Sequence, residues 1–447
     1  MVARSRLLNE NLKPRPTMQE DLPEIQSSTA LPEDQAALEA FTRGLLAMEG
    51  GLEGILEAAQ SSPGCPSLQL YTALFFLYAG TLEGIQSARP WLRRAKPLLT
   101  QANAREQRLY AAAISWADNN IETAMEALES IIREWPEDLV ALKACEYLYY
   151  LGGQHHHAHR FLNQMERVAP HHAHNADVLA MHAFALELNA HYQRAREKAE
   201  AAIDRRPTCA WAHHALAHAA TVTGDLDRGL REQEHFRSTW TKPGASIHGH
   251  NSWHLALLRL AAGDNAGALE LFRTTIWGHM PNAPGEQVDA ISLLWRLEMA
   301  GHPVEGTLWS EVAEAAEPLS GEALNPFVTA HHAHVFARVG ADEAVERLQA
   351  AVQEAGEEQP AGRRAVWKRT GQPVVEAAIA WGRRQPEIVI ANLESVVDQI
   401  PEVGGSDAQD DLFRLTLVRA YCALGQQDSA DQLLAHFPGT RAFPDLI

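Results

Sequence analysis

The sequence predicts an all-α protein in which paired helices stack into a solenoid. From about Pro32 onward, segments rich in Ala, Leu and Glu carry apolar residues at helical spacing, as Ala195, Ala199, Ala202 and Ile203 do. Runs of β-branched residues and Asn-Gly turns, which mark strands, are nearly absent. Residues that end helices recur at near-constant intervals. Together these three observations favour a helical repeat over a mixed fold.

Two series of helix-ending residues define the repeat. The first recurs every 33 to 43 residues, at Asn119, Gly152, Asn189, Gly224, Gly263, Gly301, Gly340, Gly382 and Gly425. The second recurs every 34 to 37 residues, at Pro136, Pro170, Pro207 and Pro243. Gly and Asn suit the left-handed residue at a helix C-terminus, and proline prevents continuation. This period predicts a tetratricopeptide-like α-solenoid, a right-handed superhelix of about nine helix pairs.

Composition limits the classes of partner. The chain has 447 residues, of which 46% are hydrophobic and 21% charged, and its formal net charge is −19. An acidic folded chain is poorly suited to nucleic acid or to an anionic membrane, and it has no run of the ~20 apolar residues that span a bilayer. We expect residues 33–447 to form one repeat domain. Residues 1–32 are polar and contain proline, which predicts an arm laid on the surface or disordered.

Cysteine usage and the N-terminal residues favour a reducing compartment. Cys65, Cys145, Cys209 and Cys422 are far apart in sequence and form no CxxC pair, so they are expected to be free thiols. The first residues lack the apolar run of a signal peptide. These features predict a cytoplasmic protein. Because a solenoid exposes apolar terminal repeats, self-association as a homodimer is expected.

Histidine is unusually frequent, with 22 residues, and several recur at one height of the predicted inner helices. The first helix of each pair lines the concave face of such a solenoid. When positions are counted back from the turn residues, nine residues lie at similar heights along the inner helices: His182, His214, His218, His250, His254, Asp289, Trp295, His331 and His332. Stacked inner helices would bring these groups together. Adjacent histidines at 155–159, at 171–174 and at His213 point around their helices and are expected to be exposed or hydrogen-bonded.

The chemistry expected of this wall is acid/base catalysis by histidine. His254 or His218 is the candidate general base, supported by His214, with Asp289 as the residue that orients it. Arg296 would hold an anionic substrate group, although a structural ion pair between Arg296 and Asp289 is the competing interpretation. No cofactor is expected. The alternative is zinc bound by the i, i+4 pairs His214/His218 and His250/His254.

Two further segments supply candidate substrate-binding residues. In "HGHNSWHLALLRLAAGD", polar and aromatic residues stand where an apolar stripe should begin, which singles out His250, Asn251, Trp253 and His254, with Asn251 as a candidate N-cap. Trp295 and His332, which lie at the same height of the inner helices, are further candidate substrate-binding residues. In "GGSDAQDDLF", paired glycines allow close backbone approach to a ligand. This segment contributes Gly405, Ser406, Gln409 and Asp411 and is expected to close the pocket.

The chain resembles the tetratricopeptide repeat protein 38 family over roughly Gln35 to Leu434. The resemblance is carried by "CAWAHHALAHAATVTGDLDRGL", "HGHNSWHLALLRLAAGDNAGALELF", "ISLLWRLEMAGHPV" and "GGSDAQDDLF". The motif falls on Trp211, His214, His218, His250, Asn251, Trp253, His254, Asp289, Leu294, Arg296, Gly404, Gly405, Ser406, Gln409 and Asp411. The resemblance implies a helical repeat fold and no particular reaction.

Three functions remain open. The favoured one is a concave pocket, lined by His, Trp and Asp, that binds a small molecule and processes it by hydrolytic or lyase-type chemistry. The alternative is a non-catalytic scaffold that holds a peptide or partner protein on its concave face. The third is a metal-dependent hydrolase.

Overall fold

The computed structural model describes residues 27–28, 31–242 and 245–437. The predicted N-terminal arm therefore lies almost entirely outside the described residues, as does the turn residue Pro243. Within the described ranges the protein contains 23 α-helices and no β-strand. The predicted all-α class is confirmed.

The first part of the chain forms twelve of these helices. They are α1 Pro32–Ala47, α2 Gly54–Ser61, α3 Pro66–Leu77, α4 Leu82–Leu98, α5 Ala104–Ala117, α6 Ile121–Glu134, α7 Leu139–Gly152, α8 Ala158–Val168, α9 Ala176–Glu187, α10 Tyr192–Arg205, α11 Ala210–Thr223 and α12 Leu226–Arg237. A 3₁₀ turn, Ala169–His172, continues α8.

The remainder of the described chain forms eleven more. They are α13 Ser246–Ala261, α14 Asn265–Leu271, α15 Pro284–Met299, α16 Gly306–Ala316, α17 Pro326–Val339, α18 Asp342–Glu358, α19 Ala361–Val366, α20 Gln372–Gly382, α21 Pro386–Leu393, α22 Asp407–Ala423 and α23 Gln427–His436. Single π-turns follow α14 (Phe272–Ile276) and α19 (Trp367–Gly371), and 3₁₀ turns lie at Glu317–Leu319 and Val397–Glu402.

All nine predicted turn residues lie at or beside a turn between the two helices of a hairpin. Six of them have a positive φ themselves. At the other three turns, the residue with a positive φ comes one or two positions later, at Gly153, Ala190 and Arg384. Two hairpins that the sequence did not reveal precede them, α1/α2 and α3/α4. The described chain is thus a solenoid of eleven helical hairpins with one unpaired helix, α19.

Burial separates inner from outer helices. Every residue of α9 is buried, because neighbouring hairpins and the far side of the superhelix cover it on all sides. Its partner α10 buries only the stripe of Ala195, Ala199, Ala202 and Ile203. The side chain of Asn175 accepts a hydrogen bond from the amide of Val178 and so fixes where α9 begins. Polar side chains on such an inner helix are therefore held away from solvent.

Backbone contacts join the two halves of the solenoid across its inner side. The amide of Gly405 donates to the carbonyl of Tyr150, and the amide of Gln154 donates to the carbonyl of Gly405, each at 2.9 Å. The side-chain amide of Asn325 donates to the carbonyl of Leu151 at 2.6 Å. The turn after α7 thus fixes the segment that leads into α22. As a result, the first turn of α22 lies against the inner wall.

None of the described helices combines the length and apolar character needed to cross a lipid bilayer.

Candidate functional site

Four histidines from α11 and α13 meet on the inner wall. The i, i+4 spacing puts His214 and His218 on one face of α11, and His250 and His254 on the facing side of α13. Ring centroids of His214 lie 4.5 Å from His218, 5.2 Å from His250 and 4.8 Å from His254. His254 lies 4.5 Å from His218 and 4.7 Å from His250. The four imidazoles therefore form one contact group.

Helix α15 supplies a carboxylate to this group. The carboxylate oxygens of Asp289 lie 2.9 and 3.1 Å from Nδ1 of His250. Asp289 thus contacts His250 and not His254 or His218, which the sequence analysis expected it to orient. The carboxylates beside His218 are instead those of Asp407 and Glu187. Trp253 stacks on the His250 ring with centroids 5.2 Å apart and donates to the Ser292 hydroxyl.

Two carboxyl groups lie on the other side of the histidines. Asp407, the first residue of α22, places Oδ1 3.0 Å from Nδ1 of His218, and Oε2 of Glu187, at the end of α9, lies 3.7 Å from the same nitrogen. We call the set of histidines and acids the inner cluster. The inner cluster consists of Glu187, His214, His218, His250, His254, Asp289 and Asp407.

The burial of these groups moves their pKa values in different directions. Burial, then the neighbouring His218 and His250, lowers the pKa of both His214 and His254 well below the ordinary value. Burial and the charge of Asp407 raise the pKa of Glu187 well above its ordinary value. For Asp407, burial acts to raise the pKa, but the charge and contact of His218 bring it below the usual value.

Several polar atoms of the inner cluster have no hydrogen-bond partner among the residues that the structure describes. They are Nδ1 of His214 and His254, both ring nitrogens of His218, and both carboxyl oxygens of Glu187. Nδ1 of His218 has only the ion-pair contacts with Asp407 and Glu187. Most of these side chains are fully buried, but His250 and Asp407 keep 23% and 19% of their side-chain surface exposed. A ligand approaching past these two residues would meet the unpartnered atoms.

Two sets within the inner cluster have a geometry compatible with a metal ion. In the first, one ligand atom from each of His214, His250 and His254 lies within 4.8 Å of the other two, and we call these residues the histidine triad. In the second, Glu187, His218 and Asp407 meet the same distance limit.

Three other predicted residues have structural partners. Asn251 lies inside α13, so it is not the N-cap, and its amide donates to the carbonyl of Ala210. Trp295 stacks on His334 at 3.7 Å, and His332 bonds Gln287 at 2.9 Å. Trp295 and His332 share the height of the inner cluster but not its direction around the helix, because each residue turns the helix by about 100°. These two therefore lie outside the site.

Arg296 is fully buried and engages the protein itself. Its guanidinium donates to the carbonyls of Ala408 and Ser292 and lies 5.6 Å from the Trp253 ring. Burial lowers its pKa to about 10, while the charges of Asp411 and Asp289 oppose that shift. Arg296 has no hydrogen bond to Asp289 among the described residues, so the structure does not contain the expected ion pair. Its guanidinium binds a carbonyl of α22 where the sequence analysis expected an anionic substrate group.

The "GGSDAQDDLF" segment was expected to bind a ligand, but most of its predicted residues contact the protein itself. The Gly405 backbone bonds Tyr150 and Gln154, and the Ser406 amide donates to the Gln409 side chain. Burial raises the pKa of Tyr150 and Gln409 acts to lower it, and the buried Asp411 acts on Arg296 through its charge. These residues anchor α22, and the residue of this segment within the inner cluster is Asp407, which the sequence analysis did not single out.

Histidines outside the inner cluster differ in their environments. His182, on α9, is buried with neither ring nitrogen hydrogen-bonded among the described residues. His155, His156 and His159 are exposed, as are His171 and His174. His213 is buried, stacks on Phe236 at 3.9 Å and bonds the carbonyl of Pro207. Glu187 was missed by the sequence analysis because it follows an apolar run at the end of a helix, where an acid is usually solvated.

No protein-family model matches the chain. It is similar over 90% of its length to a solved structure of an IFIT1 monomeric mutant with Gppp-AAAA, at 13% identity and a TM-score of 0.39, covering 98% of that chain. It is also similar to a chain of Naa15/Naa10 bound to HypK-THB, at 12% identity and a TM-score of 0.25, covering 92% of this chain and 64% of that one.

Proposed function

We propose that the protein binds a small molecule at the inner cluster and processes it by proton transfer, in a hydrolytic or lyase-type reaction. The observation that carries the proposal is the convergence of unpartnered polar atoms from His214, His218, His254 and Glu187 at one buried place. A buried polar atom without a partner costs about 1–3 kcal/mol. A polar ligand that supplies the partners would offset that cost, which gives the arrangement a reason that folding alone lacks.

The two acids suit opposite roles in such a reaction. Carboxyl groups whose surroundings move their pKa values apart supply an acid and a base. Glu187, with its raised pKa, keeps a proton that it can donate to a leaving group. Asp407 orients His218 through Nδ1, which leaves Nε2 to accept a proton from water or substrate. The resemblance to the tetratricopeptide repeat protein 38 family places motif residues on His214, His218 and His254 as well.

A metabolite-depletion experiment tests the proposal. Wild-type protein and a His218→Asn variant are incubated with a cell metabolite extract, and untargeted mass spectrometry follows both the solution and the compounds released on denaturation. The wild type is expected to retain one compound class and convert it, whereas the variant retains it without conversion. His436→Asn, an exposed histidine 3.0 Å from Asp398, is the matched control. Neither retention nor conversion by the wild type would contradict the proposal.

A non-catalytic interaction scaffold is the second candidate, and the repeat architecture favours it. Stacked helical hairpins present a long surface on which a partner protein can bind. The first turn of α22 covers the inner wall at His218 and Arg296, so a partner would use another surface. A pull-down that recovers one saturable partner equally with wild type and His218→Asn, without metabolite conversion, would favour the scaffold.

A further inference from the structure

We infer that the histidine triad, His214, His250 and His254, is a binding site for one divalent transition-metal ion, for which zinc is the natural probe. The inference deepens the proposed function, since the ion would lie within the same inner cluster. It rests on four observations of the triad and its surroundings.

The spacing of the triad nitrogens fits a tetrahedral ion. The Nε2 atoms of His250 and His254 lie 3.2 Å apart. Two imidazole nitrogens bound to one tetrahedral zinc at about 2.0–2.1 Å are separated by about 3.3–3.4 Å. The third ligand, from His214, lies within 4.8 Å of both. The His214 nitrogen would have to move closer to the other two to complete the triangle.

The carboxylate of Asp289 gives His250 the partner that metal-bound histidines usually have. A ligating imidazole almost always donates its second ring N–H to a carboxylate or a carbonyl, which fixes the tautomer. Asp289 lies 2.9 Å from Nδ1 of His250, so Nδ1 carries the proton and Nε2 offers its lone pair towards His254. Asp289 and Asp407 also supply negative charge beside the triad, which favours a cation.

Buried histidines that stabilise the fold look different in this chain. His213, His331 and His334 each place a ring nitrogen within 3.3 Å of a backbone carbonyl oxygen, those of Pro207, Phe327 and Ala378. No triad member has a backbone carbonyl partner among the described residues; His250 and His254 instead contact each other through their Nε2 atoms, 3.2 Å apart. An ion shared by these Nε2 atoms would account for their close approach.

Three imidazoles with a position left open indicate the kind of ion. Imidazole suits zinc, copper, nickel and iron, and three histidines with a free fourth position are typical of catalytic rather than structural zinc. His218 lies on the side of the triad where Glu187 and Asp407 are found. A fourth ligand, water or substrate, would complete the coordination of the ion.

Zinc binding by the full-length, tag-free protein tests the site. Protein stripped with EDTA is titrated with ZnCl₂ and its bound metal is measured after gel filtration. The wild type is expected to hold about one zinc per chain, and His214→Ala and His250→Ala to lose it. The control is the double variant His156→Ala/His159→Ala, which removes exposed histidines and should keep the ion. Wild-type binding well below one zinc per chain, or equal loss in the control, overturns the site.

Two measurements keep the test decisive if the triad variants do not fold. Asp289→Asn leaves the ligands in place and is expected to weaken zinc binding about 10–100-fold, so an unchanged affinity overturns the assigned geometry. Co²⁺ added to wild type should give the strong visible absorption of a four-coordinate ion, and only the weak bands of hydrated Co²⁺ would contradict it. Metal bound without metabolite conversion refutes the proposed function alone, and conversion by a wild type that binds well below one zinc per chain refutes the metal site alone.

Discussion

Asp407 and His218 form a close contact between the first turn of α22 and the middle of α11, with 3.0 Å between Oδ1 and Nδ1. The two helices are far apart in sequence and meet because the turn after α7 holds the preceding Gly405 backbone. The His218 side chain is fully buried, and this carboxylate is the nearest charged group to its Nδ1 among the described residues.

Removal of this contact is expected to destabilise the fold. Asp407→Ala leaves a buried imidazole nitrogen without its carboxylate and should lower the free energy of unfolding by about 1–3 kcal/mol. The matched control is Asp398→Ala, which removes the carboxylate from a His–Asp pair of the same 3.0 Å length whose two side chains are each more than 60% exposed. That change should stay within about 0.5 kcal/mol. Urea unfolding at neutral pH measures both, and equal losses would contradict the buried contact.

Glu187 should make the protein less stable as the pH rises. Its pKa is raised in the folded state, so above about pH 4.5 the unfolded chain releases a proton that the folded protein keeps. The free energy of unfolding therefore falls with rising pH. Glu187→Gln imitates the protonated acid, and we expect this variant to be more stable than wild type at pH 8, with the difference shrinking towards pH 4.5. Urea unfolding across this range would refute the expectation if the glutamine variant were less stable at pH 8.

Gly153 lies in the turn after α7, where the two halves of the solenoid contact each other. Its φ is +95°, and a Cβ there would lie 1.7 Å from the carbonyl oxygen of Pro401. Gly153→Ala should cost about 3–4 kcal/mol, from the left-handed backbone plus the clash. Gly301 has a similar φ of +74° with nothing within 4 Å, so Gly301→Ala should cost only about 1–2 kcal/mol. Equal costs by chemical denaturation would show that the contact with Pro401 contributes nothing.

Acid should unfold the protein through its buried neutral histidines. Burial lowers the pKa of His332 to about 4, and burial is also the main cause that lowers those of His331 and His334 to about 3. Between about pH 6.5 and 4 the unfolded chain binds protons that the folded protein excludes, so each of these histidines removes about 1.4 kcal/mol per pH unit. His334→Phe should reduce the slope of the unfolding free energy against pH by about 1.4 kcal/mol per pH unit, which corresponds to one proton. The exposed His436→Asn should leave the slope unchanged. An unchanged slope in His334→Phe would contradict this cause.

The sequence predicted the hairpin repeat well from Asn119 onward, because each turn needs a residue that tolerates a left-handed backbone. The first two hairpins were missed although Gly50 and Gly80 have φ values of +79° and +67°. Pro90 and Pro97 lie inside α4, where the general rule predicts a break, and this obscures the period there.

The site was predicted in part for a related reason. Height along an inner helix predicted that His214, His218, His250, His254 and Asp289 lie together, and the structure brings them into contact. Height does not give direction around the helix, and the structure places Trp295 and His332 against other partners. Asp407 could not be separated from an ordinary acid at a helix N-terminus. Its role depends on the long-range closure at Gly405, which no local pattern encodes.

The most direct test of the inner cluster is the electron density between His214, His218, His250 and His254 in a crystal of the full-length, tag-free protein. We predict density for an ion or a small molecule within bonding distance of at least two triad nitrogens, with Asp289 still bonded to His250. Density explained entirely by protein atoms and water, with the imidazoles bonded only to one another, would contradict a ligand site and leave the protein a scaffold.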